Sequence, residues 1–170
     1  IDPDRATPSR RLPAPVDGTG TSTSHFSIID GKGNRVAATL SINYPFGSGV
    51  VAGETGVLLN NEMNDFATHP GEPNAYGLIE SESNAVEPGK RPLSSMTPVF
   101  LEDGDRVAIL GTPGGSRIVT MVMLAALEFA RGGDAEDLVS RGRFHHQYLP
   151  DEIQHEPEMF AESIRRALRE

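Results

Sequence analysis

The chain has 170 residues, a hydrophobic fraction of 37% and a formal net charge of −9 at pH 7. This length and apolar content suit one globular domain or a large part of one, and the acidity argues against a nucleic-acid or anionic-membrane surface, since both need clustered Lys and Arg. The lack of cysteine excludes a disulfide, a thiolate nucleophile and a cysteine-based metal site, and no apolar run reaches the roughly 20 residues of a membrane span.

Residues 1–22 predict a linker or an extended arm, because they carry four prolines and three arginines without apolar periodicity. The arm leads into a Ser/Thr-rich segment. A threonine there becomes a nucleophile if the chain is cut in front of it, since its own freed α-amine then serves as the base. From the residues alone Thr19, Thr21 and Thr23 are equal candidates, and a solvated linker explains all three.

The next segments predict a β-hairpin, with strands at residues 26–30 and 35–43 around a glycine-rich turn. In the second strand Thr39, Ser41 and Asn43 fall on one face, because side chains alternate along a strand. This face is either an exposed polar surface or one wall of a site.

Further strands are expected downstream. The expected elements are a strand pair at 47–51 and 56–59, a long loop at 68–91, and a second hairpin at 97–101 and 106–111. Helices follow these strands.

Residues 117–131 are apolar on nearly every side, which predicts a helix buried between layers. Asp134 is expected to cap a second helix that runs through Val139, and residues 158–169 predict a third, amphipathic helix. Strands first and helices later favour a layered α+β sandwich.

Small polar residues and glycines mark several candidate sites. Glu62 and Asp65 are either solvated turn residues or carboxylates that hold an amino group. Gly114 and Gly115 precede the long helix, where free backbone N–H groups favour an anion or a tetrahedral oxyanion, although glycine also simply permits a tight turn. A third candidate is the Ser94–Ser95 pair.

The histidines give weaker signals. His145 and His146 are adjacent, so their side chains diverge, and structural roles are favoured over metal binding. His25 is a possible base for Thr23, although residues two apart on a strand share a face and compete for the same space.

Taken in order, these segments closely resemble the small, catalytic subunit of the gamma-glutamyltranspeptidases, a family of N-terminal nucleophile hydrolases, from about Pro8 to Pro157. Seven ordered motifs carry the resemblance. They are Thr-Ser-His-Phe-Ser at 23–27, Phe-Gly-Ser-Gly at 46–49, the Leu-Leu-Asn-Asn-Glu-Met-Asn-Asp-Phe run at 58–66, Pro-Asn-Ala-Tyr-Gly at 73–77, Gly-Lys-Arg-Pro-Leu-Ser-Ser-Met at 89–96, Gly-Thr-Pro-Gly-Gly-Ser-Arg at 111–117 and Arg-Phe-His-His-Gln at 143–147.

The resemblance implies that Thr23 is the nucleophile, because the family's precursor cuts itself before a threonine two residues ahead of a histidine. It implies that Thr23 attacks the Ser22 carbonyl, becomes a new N-terminus, and then forms a γ-glutamyl ester with glutathione or a related compound, which water or an amino acid releases.

Other site residues are also implied by the resemblance. Gly114 and Gly115 match the oxyanion-hole glycines, and Thr39 and Ser41 match positions beside the nucleophile. Asn43, Glu62 and Asp65 match residues that hold the substrate α-amino group, while Ser94 and Ser95 match those that hold its α-carboxylate. No cofactor and no metal are implied.

The implied fold is the four-layer αββα sandwich of that superfamily, incomplete without the large-subunit portion. Residues 1–22 are expected to be an arm from the end of the large-subunit region, and residues 23–170 the small-subunit domain without its C-terminal end. The large subunit of the same precursor is the implied partner, and the unprocessed chain alone is expected to be inactive. The family is often periplasmic or extracellular.

Two other readings stay open at this point. One is a related N-terminal nucleophile amidase, similar to the cephalosporin acylases or the capsule-polymer transferases, since Thr23 and the two glycines would serve any amide. The other is an inactive binding or assembly module that keeps the fold and is never processed.

Overall fold

The computed structural model describes residues 23–72, 79, 81–147, 151–157 and 159–168, so the expected arm at 1–22 lies outside the described residues. The described part contains six strands and three helices, which agrees with the α+β class. They are β1 Thr23–Ile29, β2 Arg35–Ser41, β3 Val99–Asp103, β4 Arg106–Leu110, α1 Arg117–Ala130, α2 Ala135–Ser140, β5 Phe144–His146, β6 Ile153–His155 and α3 Glu162–Ala167. No helix among these residues is long and apolar enough to cross a membrane.

The first predicted hairpin is present as β1 and β2, which pair antiparallel with Thr23 opposite Ser41 and His25 opposite Thr39. Its turn is stabilised by Asp30, whose Oδ1 accepts hydrogen bonds from the backbone N–H groups of Lys32 and Asn34, both at 2.8 Å. These bonds, with one from the Asn34 side chain, hold the pKa of the Asp30 carboxyl below its ordinary value. The turn therefore fixes the register that places Thr23 beside Ser41.

The second strand ends two residues earlier than expected. β2 stops at Ser41, and Asn43 has a φ of 70°, so it lies in the left-handed region and outside the strand. Asparagine tolerates this conformation better than most residues, and the Asn43 N–H donates to Ser41 Oγ at 2.9 Å, which closes a local turn. The prediction that Asn43 continues the strand face of Thr39 and Ser41 is wrong for this reason.

The two faces of the first hairpin differ in chemistry. The face with Thr23, His25 and Thr39 is polar and partly buried, and β4 lies close to both strands of the hairpin. The opposite face is apolar and exposed, with Phe26 43% and Leu40 59% accessible. The hairpin thus turns its polar face toward the rest of the described chain.

The strand pair expected at 47–51 and 56–59 does not form. One isolated antiparallel bridge joins Val51 and Leu58 around the 3₁₀ turn Gly53–Thr55. The glycines explain this: Gly47 has a φ of 52°, and a Cβ there would lie 2.3 Å from the Leu59 carbonyl oxygen. Such backbone bends and close approaches interrupt an extended strand.

The predicted loop at 68–91 is anchored where it is described. A parallel bridge joins Ala67 to Ala85, and a 3₁₀ turn occupies Glu82–Asn84. Part of this segment, including residues 73–78 with one of the seven motifs, lies outside the described residues.

The second predicted hairpin and the long helix are present as β3, β4 and α1. The core lies under α1, which buries Ile118, Val122, Leu124 and Phe129. The expectation of burial on every side is wrong for the described chain, because Val119 is 50% exposed and lies on an open face with Met123 and Leu127. Position by position, α1 packs one stripe only.

The C-terminal region holds one confirmed helix, one shorter helix and one unpredicted sheet. Asp134 caps α2 through a reciprocal capping box with Asp137, as its position before the helix predicted. The third helix spans only Glu162–Ala167, and both ends of the predicted range, 158 and 169, lie outside the described residues. β5 and β6 pair antiparallel and were not predicted, since three residues are too few to show strand periodicity.

Candidate functional site

The candidate nucleophile sits at the first residue of β1. Thr23 Oγ1 lies 2.9 Å from Ser41 Oγ on the facing strand, and the Ser41 oxygen in turn accepts the Asn43 N–H. Thr23 is partly exposed, as a group that must meet a substrate has to be. The structure therefore brings Thr23, Ser41 and Asn43 together through one shared hydroxyl, while Ser22 lies outside the described residues.

His25 does not contact the Thr23 hydroxyl. Its Nδ1 lies 2.8 Å from Thr39 Oγ1 and its Nε2 lies 3.0 Å from Ser27 Oγ, so both ring nitrogens are engaged elsewhere. Burial lowers the pKa of His25. The possibility that His25 is the base for Thr23 is not supported by this geometry.

The two acids lie on one short 3₁₀ turn, Glu62–Asp65. The pKa of Asp65 is raised to about 7, first by burial and then by a hydrogen bond to Glu62 and the charge of that residue. Glu62 Oε1 is buried and has no hydrogen-bond partner in the described part of the chain. The pair thus shares a proton near neutral pH and has acceptor capacity left for a cationic group.

Asn61 attaches this acid turn to the end of β2. Its backbone oxygen accepts from Asn43 Nδ2 at 3.2 Å, and its Oδ1 accepts from the Tyr44 N–H at 3.1 Å. Tyr44 also lies near the acids, because its pKa is raised by burial and by the charge of Asp65. Asn43, Glu62 and Asp65 are therefore neighbours, and they lie next to the strand end that carries Ser41.

Asn84 links the acid turn to the serine segment. Its Nδ2 donates to the Asp65 carbonyl at 2.7 Å, and its Oδ1 accepts from the Leu93 N–H at 3.0 Å, directly before Ser94. Sequence reasoning missed Asn84, as it missed Asn61 and Tyr44. An asparagine in a polar loop gives no signal, because loops are rich in asparagine for many local reasons.

The two serines have different surroundings. Ser94 is exposed and its Oγ accepts from the Met96 N–H at 3.2 Å, whereas Ser95 is partly buried and its carbonyl accepts from the Thr97 hydroxyl at 2.8 Å. Since Asn84 fixes the segment just before them, their hydroxyls are held on the same side of the molecule as the acid turn.

Gly114 and Gly115 form the turn between β4 and α1. Their φ angles are 146° and 58°, in the region that favours glycine. No described residue accepts a backbone hydrogen bond from either amide, whereas both carbonyls accept one, from Arg117 and Ile118. The two N–H groups are thus available at the start of a 14-residue helix, an arrangement that suits an oxyanion.

The chain after β4 runs back along β1 toward Thr23. The Ser27 hydroxyl donates to the Ile109 carbonyl at 3.1 Å, and a Cβ on Gly111 would lie 2.1 Å from His25 Nδ1. Two residues along one strand thus match two residues back along the other. The same step carries the following turn, with Gly114 and Gly115, to the level of Thr23.

The adjacent histidines diverge as expected. His145 is buried with Nδ1 2.9 Å from Thr120 Oγ1, whereas His146 is exposed with Nε2 3.0 Å from Asp151 Oδ1. Over the described residues, no group of three or more His, Cys, Asp or Glu side chains is arranged to hold a metal ion.

Comparisons with known proteins agree with this architecture. A family model described as gamma-glutamyltranspeptidase matches residues 1–170. The glutathione hydrolase proenzyme of Escherichia coli (strain K12) is 45% identical over 159 residues, which cover 90% of this chain and 27% of that protein. The glutathione hydrolase proenzyme of Pseudomonas sp. (strain A14) is 46% identical over 154 residues, covering 89% of this chain and 27% of that protein.

A solved structure of a gamma-glutamyltranspeptidase variant from Helicobacter pylori is similar to this chain with a TM-score of 0.79 and 41% identity, over 85% of this chain and 79% of that one. The expected fold is confirmed: the described strands and helices form part of the α+β fold of the N-terminal nucleophile hydrolases. The chain spans about a quarter of the length of the curated relatives, 27% in both cases. It belongs to the gamma-glutamyltranspeptidase family.

Proposed function

We propose that this chain carries the nucleophile and the substrate-binding residues of an autoprocessing γ-glutamyl transferase and hydrolase that acts on glutathione and related compounds. The observation that carries the proposal is the Thr23–Ser41 hydroxyl pair, 2.9 Å apart, at the first residue of a strand. The names of the relatives, glutathione hydrolase proenzymes, agree with both parts of it.

Processing begins with attack of Thr23 Oγ1 on the Ser22 carbonyl carbon. The C–N bond to Thr23 breaks, the hydroxyl proton passes to the released nitrogen, and an ester joins Ser22 to Thr23. Hydrolysis of this ester frees both the Ser22 carboxylate and the Thr23 amine. The contact with Ser41 orients the Thr23 hydroxyl before this step.

The freed α-amine then acts as the base. Its reference pKa of about 7.7 to 8.0 allows it to take the Thr23 hydroxyl proton near neutral pH while the oxygen attacks the γ-carbonyl of the substrate. The negative oxygen of the tetrahedral intermediate is bound by the amides of Gly114 and Gly115. The amine of the donor leaves, and water or an amino acid later releases the γ-glutamyl ester.

Substrate recognition uses the groups around the acid turn. The α-ammonium of the γ-glutamyl group takes the place of the proton shared by Asp65 and Glu62, with Asn43 as a further partner, because a desolvated ammonium needs acceptors and opposite charge. The hydroxyls of Ser94 and Ser95 receive the α-carboxylate. Thr39 and Ser41 stay beside the nucleophile.

The rest of the precursor is the proposed partner. The apolar face of the first hairpin exposes Phe26, Ile28 and Leu40, at 43%, 51% and 59%, and such a face needs a cover in the assembled protein. We assign residues 1–22 to the end of the large-subunit region and residues 23–170 to the small subunit, and the uncleaved chain by itself to an inactive state.

The test is intact-mass analysis and γ-glutamyl anilide turnover of the full gene product. Wild-type protein is expected to break between Ser22 and Thr23 and to turn over, whereas Thr23→Ala does neither. Thr21→Ala is the matched control and keeps both. An unbroken wild-type chain with full activity would refute the proposal, and so would turnover of another amide with none of the γ-glutamyl anilide.

A further inference from the structure

A row of side chains runs from the site hydroxyls to the backbone of β4. Thr39 Oγ1 lies 2.8 Å from His25 Nδ1, His25 Nε2 lies 3.0 Å from Ser27 Oγ, and Ser27 Oγ lies 3.1 Å from the Ile109 carbonyl oxygen. Both histidine nitrogens and both hydroxyls are thus used in one line. The proposed mechanism gives His25 and Ser27 no role.

The far end of the row fixes the direction of every bond. A carbonyl oxygen only accepts, so the single Ser27 proton is donated to Ile109. Ser27 Oγ must then accept from His25, which places a proton on Nε2. In the neutral ring Nδ1 is consequently a lone pair, and it accepts the Thr39 hydroxyl proton.

The surroundings hold the ring in this neutral form and place. Burial lowers the pKa of His25, which disfavours a second ring proton. Gly111 packs against the ring so closely that a Cβ would lie 2.1 to 2.7 Å from three of its atoms. The ring therefore cannot tilt toward β4 without losing one of its two hydrogen bonds.

We propose that His25 is a positioning residue: as the Nε2–H tautomer anchored through Ser27 to β4, it turns the Thr39 proton away from Thr23, so that Thr39 offers only lone pairs to the nucleophile's face. This inference rests on the proposed function of Thr23. Thr23 and Thr39 are diagonal neighbours on that face, since Thr23 pairs with Ser41 and His25 with Thr39. An acceptor there directs the proton of the Thr23 hydroxyl, or of a water beside it, during attack.

The test compares His25→Asn with His25→Leu in the full gene product. The two side chains have nearly the same shape, but asparagine keeps an oxygen where Nδ1 lies and leucine does not. We expect His25→Leu to lower kcat for γ-glutamyl anilide about 10- to 100-fold with little change in KM, and to slow processing, and His25→Asn to restore most of both. Equal activity of the two variants would overturn the inference.

A spectroscopic measurement does not depend on turnover. The imidazole ¹⁵N shifts of His25, assigned by their loss in His25→Asn, should show a protonated Nε2 and an unprotonated Nδ1. The opposite tautomer, or a doubly protonated ring at neutral pH, would overturn the inference even if wild-type activity is normal. A wild-type protein that neither cleaves itself nor turns over, with the expected tautomer present, would instead count against the proposed function.

Discussion

The nucleophile hairpin and the acid turn form two walls of one candidate site, and they are built differently. In the hairpin, the β1–β2 register alone puts Thr23 opposite Ser41 and His25 opposite Thr39. The acid turn has no strand partner, and side-chain amides of Asn43, Asn61 and Asn84 connect it to its neighbours. The difference teaches that the chemistry is placed by backbone pairing, whereas the substrate-binding groups are placed by individual side chains.

This comparison has a kinetic consequence. Changes on the hairpin side should mainly lower kcat and processing, because they act on the attacking oxygen and the oxyanion. Changes on the acid-turn side should mainly raise KM, because they act on the substrate's amino and carboxylate groups.

Gly114→Ala is expected to give the largest effect. Alanine is strained at a φ of 146°, so the turn must shift, and loss of one oxyanion donor lowers kcat by about 100-fold or more. Gly132→Ala is the matched control, since Gly132 has a φ of 96° in open space at the other end of α1. The control should lose stability and keep its kcat. Equal kcat values in the two variants would break the proposed division.

Asp65→Asn is expected to raise KM for the γ-glutamyl donor by about 10- to 100-fold, because a buried ammonium loses its counter-charge. The wild-type KM should fall as pH rises through about 7, where Asp65 ionises, and this dependence should vanish in the variant. Steady-state kinetics from pH 5.5 to 8.5 measure both. A pH-dependent KM that survives in Asp65→Asn would assign the titration to another group.

The same carboxyl gives a stability test with a definite sign. The raised pKa means that Asp65 stabilises the fold in its protonated form, fully so below the ordinary carboxyl pKa near 3.8, and that this contribution is lost as pH rises through about 7. Asp65→Asn should therefore gain stability relative to wild type between pH 4 and pH 8, measured by denaturant unfolding. A difference that is constant with pH would contradict the raised pKa.

Asn84→Ala sharpens the comparison at a smaller scale. It removes the bonds from Asn84 to the Asp65 carbonyl and the Leu93 N–H, so the amino-binding and carboxylate-binding groups lose their common anchor. We expect KM to rise about 10-fold with kcat nearly unchanged. Asn64→Ala, at an exposed asparagine of the same acid turn, is the control and should leave both constants as they are. A fall in kcat without a rise in KM would place Asn84 on the hairpin side.

Asp134→Ala is expected to have the smallest effect on the site. It removes the capping box of α2 and should cost about 1 kcal/mol of unfolding free energy, measured by denaturant titration. Because α2 contributes no residue to the candidate site, kcat and KM should stay unchanged. A kinetic defect would show that the C-terminal elements support the site more directly than proposed.

The hairpins and α1 could be predicted from the sequence because their signals are local. Alternating residues and a turn at Asp30 indicate β1 and β2, and apolar periodicity followed by glycines indicates α1. The conformations of Asn43 and of the segment around Gly47 could not, since a left-handed residue and a close backbone approach depend on tertiary neighbours such as Leu59. The sheet β5–β6 is too short to show a period.

The site shows the same division. Motif resemblance selected Thr23, Glu62, Asp65 and the two glycines as candidates, which sequence spacing alone did not do. The anchoring role of Asn84 and the chain of bonds through His25 became visible only in three dimensions, because they join residues that are far apart in sequence, such as Asn84 with Asp65 and Ser27 with Ile109.

The central claim is that Thr23 is the nucleophile, and a trapped intermediate tests it most directly. The full gene product, mixed with a γ-glutamyl donor without an amino-acid acceptor and quenched in acid, should yield a peptide that begins at Thr23 and carries one γ-glutamyl group on that residue by tandem mass spectrometry. Turnover with the γ-glutamyl group on another residue, or with Thr23 still joined to Ser22, would contradict the account.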